Sequence, residues 1–324
     1  MPLQAYDIDA ALGLWNETKG AAAQLINYSE NHTFLIDTAE QGRFTLRVHR
    51  PGYQSRPSIE SELAWLTALR QATDLAIPEP VWGRNGSLLQ AFRTAGGEDR
   101  LAVLFRFVAG VEPTLADDLT GLFGKLGNFA ATMHRHVMEW ERPSGFKRQA
   151  WNAETVLSPE GLWGDWRRAP GVNPATAAIL EELSQTLTAR LERYGTSRQR
   201  YGLVHADMRL GNILDDAGKI TLIDFDDCGF CWYGYDFAAS ISFHETSPAI
   251  PALKSAWLSS YRSVRPFNEE DEAELESMVM LRRMALLAWI GSHAETTLAQ
   301  SHMPGFAEGT ADLARRYLAG SLWD

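Results

Sequence analysis

Two aspartates and an asparagine stand at short, fixed spacings in the second half of this chain. His205-Ala206-Asp207-Met208-Arg209-Leu210-Gly211-Asn212 sets Asp207 and Asn212 five residues apart, and Ile223-Asp224-Phe225-Asp226 brings Asp224 twelve residues after Asn212. A carboxylate, a carboxamide and a second carboxylate in this order suit phosphoryl transfer. Moving a phosphoryl group from ATP to a hydroxyl needs the hydroxyl oriented, its proton accepted, and the phosphate charge neutralised by a divalent metal. Asp207 would accept the proton. Asn212 and Asp224 would hold Mg²⁺ through hard oxygen ligands. Taken singly, an Asp or an Asn in a loop is a turn former. The combination at these spacings argues for the chemistry.

The elements that position these residues are legible around them. Between Asn212 and Asp224, Ile213/Leu214 and Ile220/Leu222/Ile223 flank Asp216-Ala217-Gly218, which reads as strand, tight turn, strand. Such a hairpin is expected to return Asp224 close to Asn212. Upstream, a helix is expected over 7–15 with Asp7 as its N-cap. Strands follow at 24–28, 32–36 and 43–48. Pro57 opens a helix to about 71, with Ile59, Leu63, Leu66 and Leu69 near helical period. Strands at 86–92 and 101–108 complete a five-stranded sheet with one helix. Residues 1–108 thus form one expected domain and 109–324 a second, joined at 109–113. The second carries helices over 115–137, 174–194, 234–244, 248–264, 268–296 and 304–319. Strands first and helices after, with one embedded hairpin, is an α+β pattern.

His205-Ala206-Asp207…Asn212 together with Ile223-Asp224-Phe225-Asp226 resembles the aminoglycoside phosphotransferase/choline kinase superfamily. Within it, the bacterial homoserine-kinase and stress-response-kinase types are most similar. Ala206 stands where the family has Gly, a small-for-small change expected to be harmless. Asp-Phe-Asp replaces the Asp-Phe-Gly of protein kinases, which favours the small-molecule branch. The resemblance implies a protein-kinase-like two-lobe fold, an antiparallel N-terminal sheet, ATP and Mg²⁺ as cofactors, and a small-molecule hydroxyl acceptor of amino-alcohol, homoserine or sugar type.

It also assigns residues. Arg47 would be the cation facing the α- and β-phosphates, where most kinases have Lys. Glu62 would orient it from the helix, with Glu60 a rival on a different face. The loop 29–32, which includes Asn31, would cover the phosphates, although it lacks glycine; a plain hairpin turn is the alternative. Adenine would lie against the segment 107–110, beginning at Phe107. His205 would pack under the catalytic loop, and Asp236 would hold that loop from the following helix. Arg209, inside the loop, would stabilise charge on the γ-phosphate or simply face solvent. Apart from the resemblance, Arg283 on the long C-terminal helix would meet an anionic group on the acceptor if the inner face of that helix borders the cleft, or would simply face solvent, and the tryptophans at 151, 163 and 166 either wall the acceptor site or fill the core.

Composition narrows the partners. The net charge of −11 argues against nucleic acid as the main partner, since phosphate binding wants a basic face. The N-terminus shows no basic region followed by an apolar run, and the stretch 284–290 is too short to span a bilayer. A cytoplasmic protein without membrane contact is expected. Cys228 and Cys231 lack the second pair that a four-ligand zinc site needs, and read as reduced thiols. The oligomeric state is not readable. Two other readings stay open at this point. A Ser/Thr protein kinase of stress-response type shares every motif. A non-catalytic nucleotide-binding regulator is favoured by the glycine-free loop and by Arg47, and opposed by the intact Asp207, Asn212 and Asp224.

Overall fold

The computed structural model describes residues 3–28 and 31–323. Ser29 and Glu30 of the expected phosphate-covering loop lie outside the described residues. A 3-10 turn over Ala5–Ile8 leads into the short α1 (Asp9–Leu12). Asp7 does not cap α1; its carboxylate accepts the backbone N–H of Gln4 at 2.8 Å, closing a capping box one turn earlier.

Five antiparallel strands follow: β1 (Ala22–Tyr28), β2 (Asn31–Thr38), β3 (Gly42–His49) and, after the helix α2 (Arg56–Ala72), β4 (Gln90–Arg93) and β5 (Asp99–Arg106). Their order in the sheet is β1-β2-β3-β5-β4. β4 starts later than the expected 86–92 because 83–87 is occupied by a turn in which the N–H of Gly83 reaches Ser87 O at 2.9 Å, and β5 begins and ends two residues before the expected 101–108. Alternation along β3 sorts its side chains. Phe44, Leu46 and Val48 enter an apolar cluster with Trp15, Phe34 and Ile36. Arg47, paired across to Thr33 on β2 and Val103 on β5, points to the opposite face. The Ser55 hydroxyl caps α2 by accepting from Ser58 N at 3.3 Å, with Pro57 in the first turn. Ile59, Glu62, Leu63, Leu66 and Leu69 share its buried face, whereas Glu60 is exposed.

The remainder is mostly helical. α3 (Thr120–Glu139), α4 (Ala153–Leu157) and α5 (Pro174–Tyr194) precede β6 (Tyr201–Val204). α3 starts later than expected because Asp117 folds residues 114–117 into a turn, accepting from Thr114 N at 2.7 Å. A 3-10 turn at Leu210–Asn212 leads into the hairpin β7 (Ile213–Asp216) and β8 (Lys219–Leu222). Ala217 and Gly218 both have positive φ, 51° and 90°, as a two-residue type I′ turn requires. Then come β9 (Gly229–Trp232), antiparallel to β6, and α6 (Tyr235–Ser240), α7 (Ile250–Arg262), α8 (Glu269–Ala273), α9 (Leu275–Ser292), α10 (Thr297–His302) and α11 (Phe306–Ala319). The single helix expected over 268–296 is broken at Glu274. Asn268 caps the acidic α8, and the chain restarts as α9, buried from Leu275 to Ile290 apart from Glu276. Gly127 lets α3 approach α7, since a Cβ there would stand 2.1 Å from Trp257 O.

Two compact units result. One holds the chain through Val111 with Glu141–Arg148 and Leu214–Asp226; the other holds Glu112–Trp140, Gln149–Ile213 and the chain from Asp227. A division at 108/109 would place Asp224 and Asp226 with the helices; their segment belongs with the sheet. No helix among the described residues is long and apolar enough to cross a membrane.

Candidate functional site

In the helical unit, β6 delivers the chain to His205 and then to Ala206, whose φ is 67°. This left-handed conformation is where glycine is at ease and a Cβ is strained. Ala206 thus carries a modest local strain, and the loop is held from outside. Asp236, in the first turn of α6 and wholly buried, does this. Its carboxylate accepts the N–H of Ala206 at 2.8 Å and of His205 at 3.2 Å, and meets Nε2 of His134 at 2.9 Å. His205 in turn accepts the N–H of Asp207 on Nδ1 at 3.2 Å.

Asp207 is thereby presented with both carboxylate oxygens occupied. Oδ2 accepts from Nδ2 of Asn212 at 2.6 Å and from Nε of Arg209 at 3.3 Å. Oδ1 accepts from the guanidinium of Arg282. Burial works to raise the Asp207 pKa, but Arg282, Arg209 and His205 outweigh it and hold the carboxyl below the usual range. The group is ionised at neutral pH. Asn212 also donates to the backbone O of Asp207 at 2.9 Å. Both of its amide protons are thus directed to Asp207, which leaves its amide oxygen as a hard acceptor.

In the sheet unit, Nη2 of Arg47 lies 2.6 and 2.7 Å from the two oxygens of Glu62. Glu60 instead pairs with Arg56 at the surface. Nη1 of Arg47 stands 3.5 Å from Oδ1 of Asp224, whose carboxylate is about half exposed and whose φ is 63°. Asp226 is buried. Its Oδ2 accepts from Nδ2 of Asn31 at 2.8 Å, while its Oδ1 has no hydrogen bond among the described residues and lies 3.9 Å from Nδ1 of His49. Burial first, and then Arg47, press the His49 pKa down to about 3, so this contact is not an ion pair at neutral pH. Asn31 uses its other end to accept from Arg50 N at 3.2 Å, so its amide ties β2 to Asp226 within the unit. Phe107 donates its N–H to Arg43 O at 3.2 Å, and the Arg43 guanidinium sits 4.2 Å over its ring.

Two arginines stand out beyond the motifs. Arg148 donates to the backbone O of Asp226 and to Ser58 O and Oγ at 3.1 and 3.0 Å, tying α2 to the 224–226 segment. Arg282, not Arg283, reaches the 205–212 loop. Arg283 pairs with Oε2 of Glu245 at 2.7 Å and lies 3.5 Å over the Phe306 ring. Trp151, Trp163 and Trp166 are all buried. Cys228 and Cys231 are buried thiols, and Cys231 Sγ lies 2.9 Å from Trp151 O.

The phosphotransferase enzyme family's sequence profile matches residues 23–267. The solved structure of a microcompartment-associated aminopropanol kinase is 40% identical, covers 98% of both chains and superposes with a TM-score of 0.88. A homoserine kinase of Gluconobacter oxydans (strain 621H) is 26% identical over 314 residues, 92% of this chain and 89% of its own length. An amicoumacin kinase of Bacillus subtilis (strain 168) is 26% identical over 209 residues, 64% of this chain; the match spans only 59% of that relative's length.

Proposed function

The chain belongs to the phosphotransferase enzyme family and is an ATP-dependent phosphotransferase acting on a hydroxyl; from that premise we propose that the hydroxyl belongs to a small amino alcohol and that Asp207 takes its proton. The observation that carries the mechanism is the Asp207–Asn212 pair, in which the amide fixes an ionised carboxylate at 2.6 Å. An ionised, well-hydrogen-bonded aspartate is a weak base. It suits a loose transition state, in which the hydroxyl is first oriented and loses its proton late. The acceptor oxygen forms a bond to the γ-phosphorus, the bond from that phosphorus to the β–γ bridging oxygen breaks, ADP leaves, and the proton passes to Asp207 and then to solvent.

Arg47, aligned by Glu62, would meet the α- and β-phosphates, and Arg209 would face charge on the γ-phosphate. The segment beginning at Phe107 would flank adenine. Asn212 through its amide oxygen and Asp224 through its exposed carboxylate would hold Mg²⁺. No three His, Cys, Asp or Glu side chains among the described residues are grouped to bind a metal. Few protein ligands, with water and phosphate oxygens supplying the rest, is the habit of Mg²⁺, whose part when bound is to neutralise phosphate charge. A cytoplasmic location, where ATP is available, fits this reading.

End-to-end likeness to an aminopropanol kinase supports the amino-alcohol class. The test is ADP release from Mg·ATP with aminopropanol, ethanolamine, choline, homoserine, 1,2-propanediol and a basic protein. A site that recognises the ammonium is expected to prefer aminopropanol over the diol by about 100-fold in kcat/KM. Equal use of the diol, or turnover with protein alone, would overturn the acceptor class.

A further inference from the structure

We propose that Arg282, on α9, is the positioning residue that fixes Asp207, anchoring Oδ1 and so orienting the carboxylate whose Oδ2 meets Asn212 and Arg209. This rests on the reading of Asp207 as the proton acceptor.

Arg282 is 1% exposed in a helix that is buried along almost all of its length. A fully buried guanidinium persists only where its donors are satisfied. Here Nε donates to Ser242 Oγ at 3.0 Å, Nη1 to Ala206 O at 3.2 Å, and Nη2 to Asp207 Oδ1. The Trp163 ring lies 5.5 Å from the guanidinium carbon. Arg282 thus grips the strained residue and the reactive residue of the loop together. The grip divides the carboxylate, because Arg282 holds Oδ1 while Asn212 and Arg209 converge on Oδ2.

The partner of Arg282 is itself braced. Ser242 precedes Phe243, whose φ of 71° is strained for a bulky residue. Glu245 accepts the Phe243 N–H at 3.2 Å on one oxygen and Arg283 at 2.7 Å on the other. The Phe243 ring stacks on His302 at 3.8 Å. Two adjacent arginines of one helix are therefore pinned by one short loop, and only the first reaches the catalytic segment. The other serves the brace.

Steady-state kinetics with aminopropanol and Mg·ATP test this in Arg282→Met, Arg282→Lys and Ser242→Ala, with Asp207→Asn alongside. A misplaced reacting group costs on the order of 100-fold, so Arg282→Met should lose about that much kcat while both KM values stay within about 2-fold. Arg282→Lys, which restores a charge but not the fork, should recover about a tenth or more of wild-type kcat. Ser242→Ala, which buries no unpaired charge, should lower kcat about 3-fold at unchanged KM, and decides the matter should Arg282→Met not fold. Full kcat in soluble Arg282→Met, or in Ser242→Ala, overturns the inference. So does a loss expressed only in KM. Loss of turnover in Asp207→Asn beside an intact Arg282→Met overturns this inference alone; full turnover in Asp207→Asn overturns the proposed mechanism with it.

Discussion

One nitrogen of Arg47 bridges both carboxylate oxygens of Glu62, at 2.6 and 2.7 Å, in a site where Glu62 is wholly buried. Burial pushes Glu62 toward its neutral form, against the pull of Arg47. Contacts this short to both oxygens are those of a carboxylate, and the pair is ionised. Neither partner can be removed without leaving the other charge buried.

Glu62→Ala is therefore expected to cost about 3–5 kcal/mol of stability, read as a large fall in Tm. Glu60→Ala, at the surface, should stay within about 0.5 kcal/mol. Arg47→Ala should raise KM for ATP by about 10-fold or more, the worth of a charge-assisted contact. An unchanged KM would remove Arg47 from the nucleotide site.

Acid should weaken the fold before Asp207 and Asp226 titrate. His49 is held down to about 3, by burial and then Arg47, and His32 to about 4, by burial and then Arg100. In the unfolded chain both take a proton near pH 6.5. The unfolded state then binds more protons, so stability is full above about pH 6.5 and falls as pH drops toward those folded values. Asp207 and Asp226, whose folded pKa values are lowered, contribute stability above the ordinary Asp range that is lost only below it. Between pH 6 and 4 the decline should be carried by the histidines. His49→Gln should lessen its slope by roughly 1.4 kcal/mol per pH unit. An identical slope in urea titrations of wild type and variant would refute this.

The backbone at Ala206 makes a separate prediction. Ala206→Gly relieves a Cβ at φ 67° and should leave stability within about 1 kcal/mol. Ala206→Val places a branched side chain in the same conformation and should cost on the order of 2–3 kcal/mol together with most of kcat. Equal Tm values for the two variants would show that the loop relaxes instead.

Asp224→Asn should raise the Mg²⁺ concentration needed for half-maximal rate by about 10-fold or more, with KM for the acceptor little changed. A Mg²⁺ profile identical to wild type would exclude Asp224 from the metal.

How much of this the sequence displays depends on how local each relationship is. The segments 205–212 and 223–226 carry the residue types of the proposed chemistry in short runs, and the turn at Ala217-Gly218 and the Ser55–Pro57 start of α2 are signalled by residue types with fixed conformational meaning. Arg282 is different. It lies 75 residues from Asp207 in the chain, on a helix apolar on every side, so no periodicity marks a face and Arg282 and Arg283 look alike. The pairing of Asn31 with Asp226 spans 195 residues and joins a strand start to the 223–226 segment, which spacing cannot reveal. The helix limit at Thr120 is not legible because a side-chain turn at Asp117 engages the backbone of the preceding residues.

The most direct test of the central claim is phosphorus NMR of the product formed from Mg·ATP and aminopropanol by wild type and by Asp207→Asn. The account predicts a phosphate monoester on the hydroxyl in wild type and a rate lower by about 1,000-fold or more in the variant. A phosphoramidate on the amine, or an undiminished rate without the Asp207 carboxylate, would contradict it.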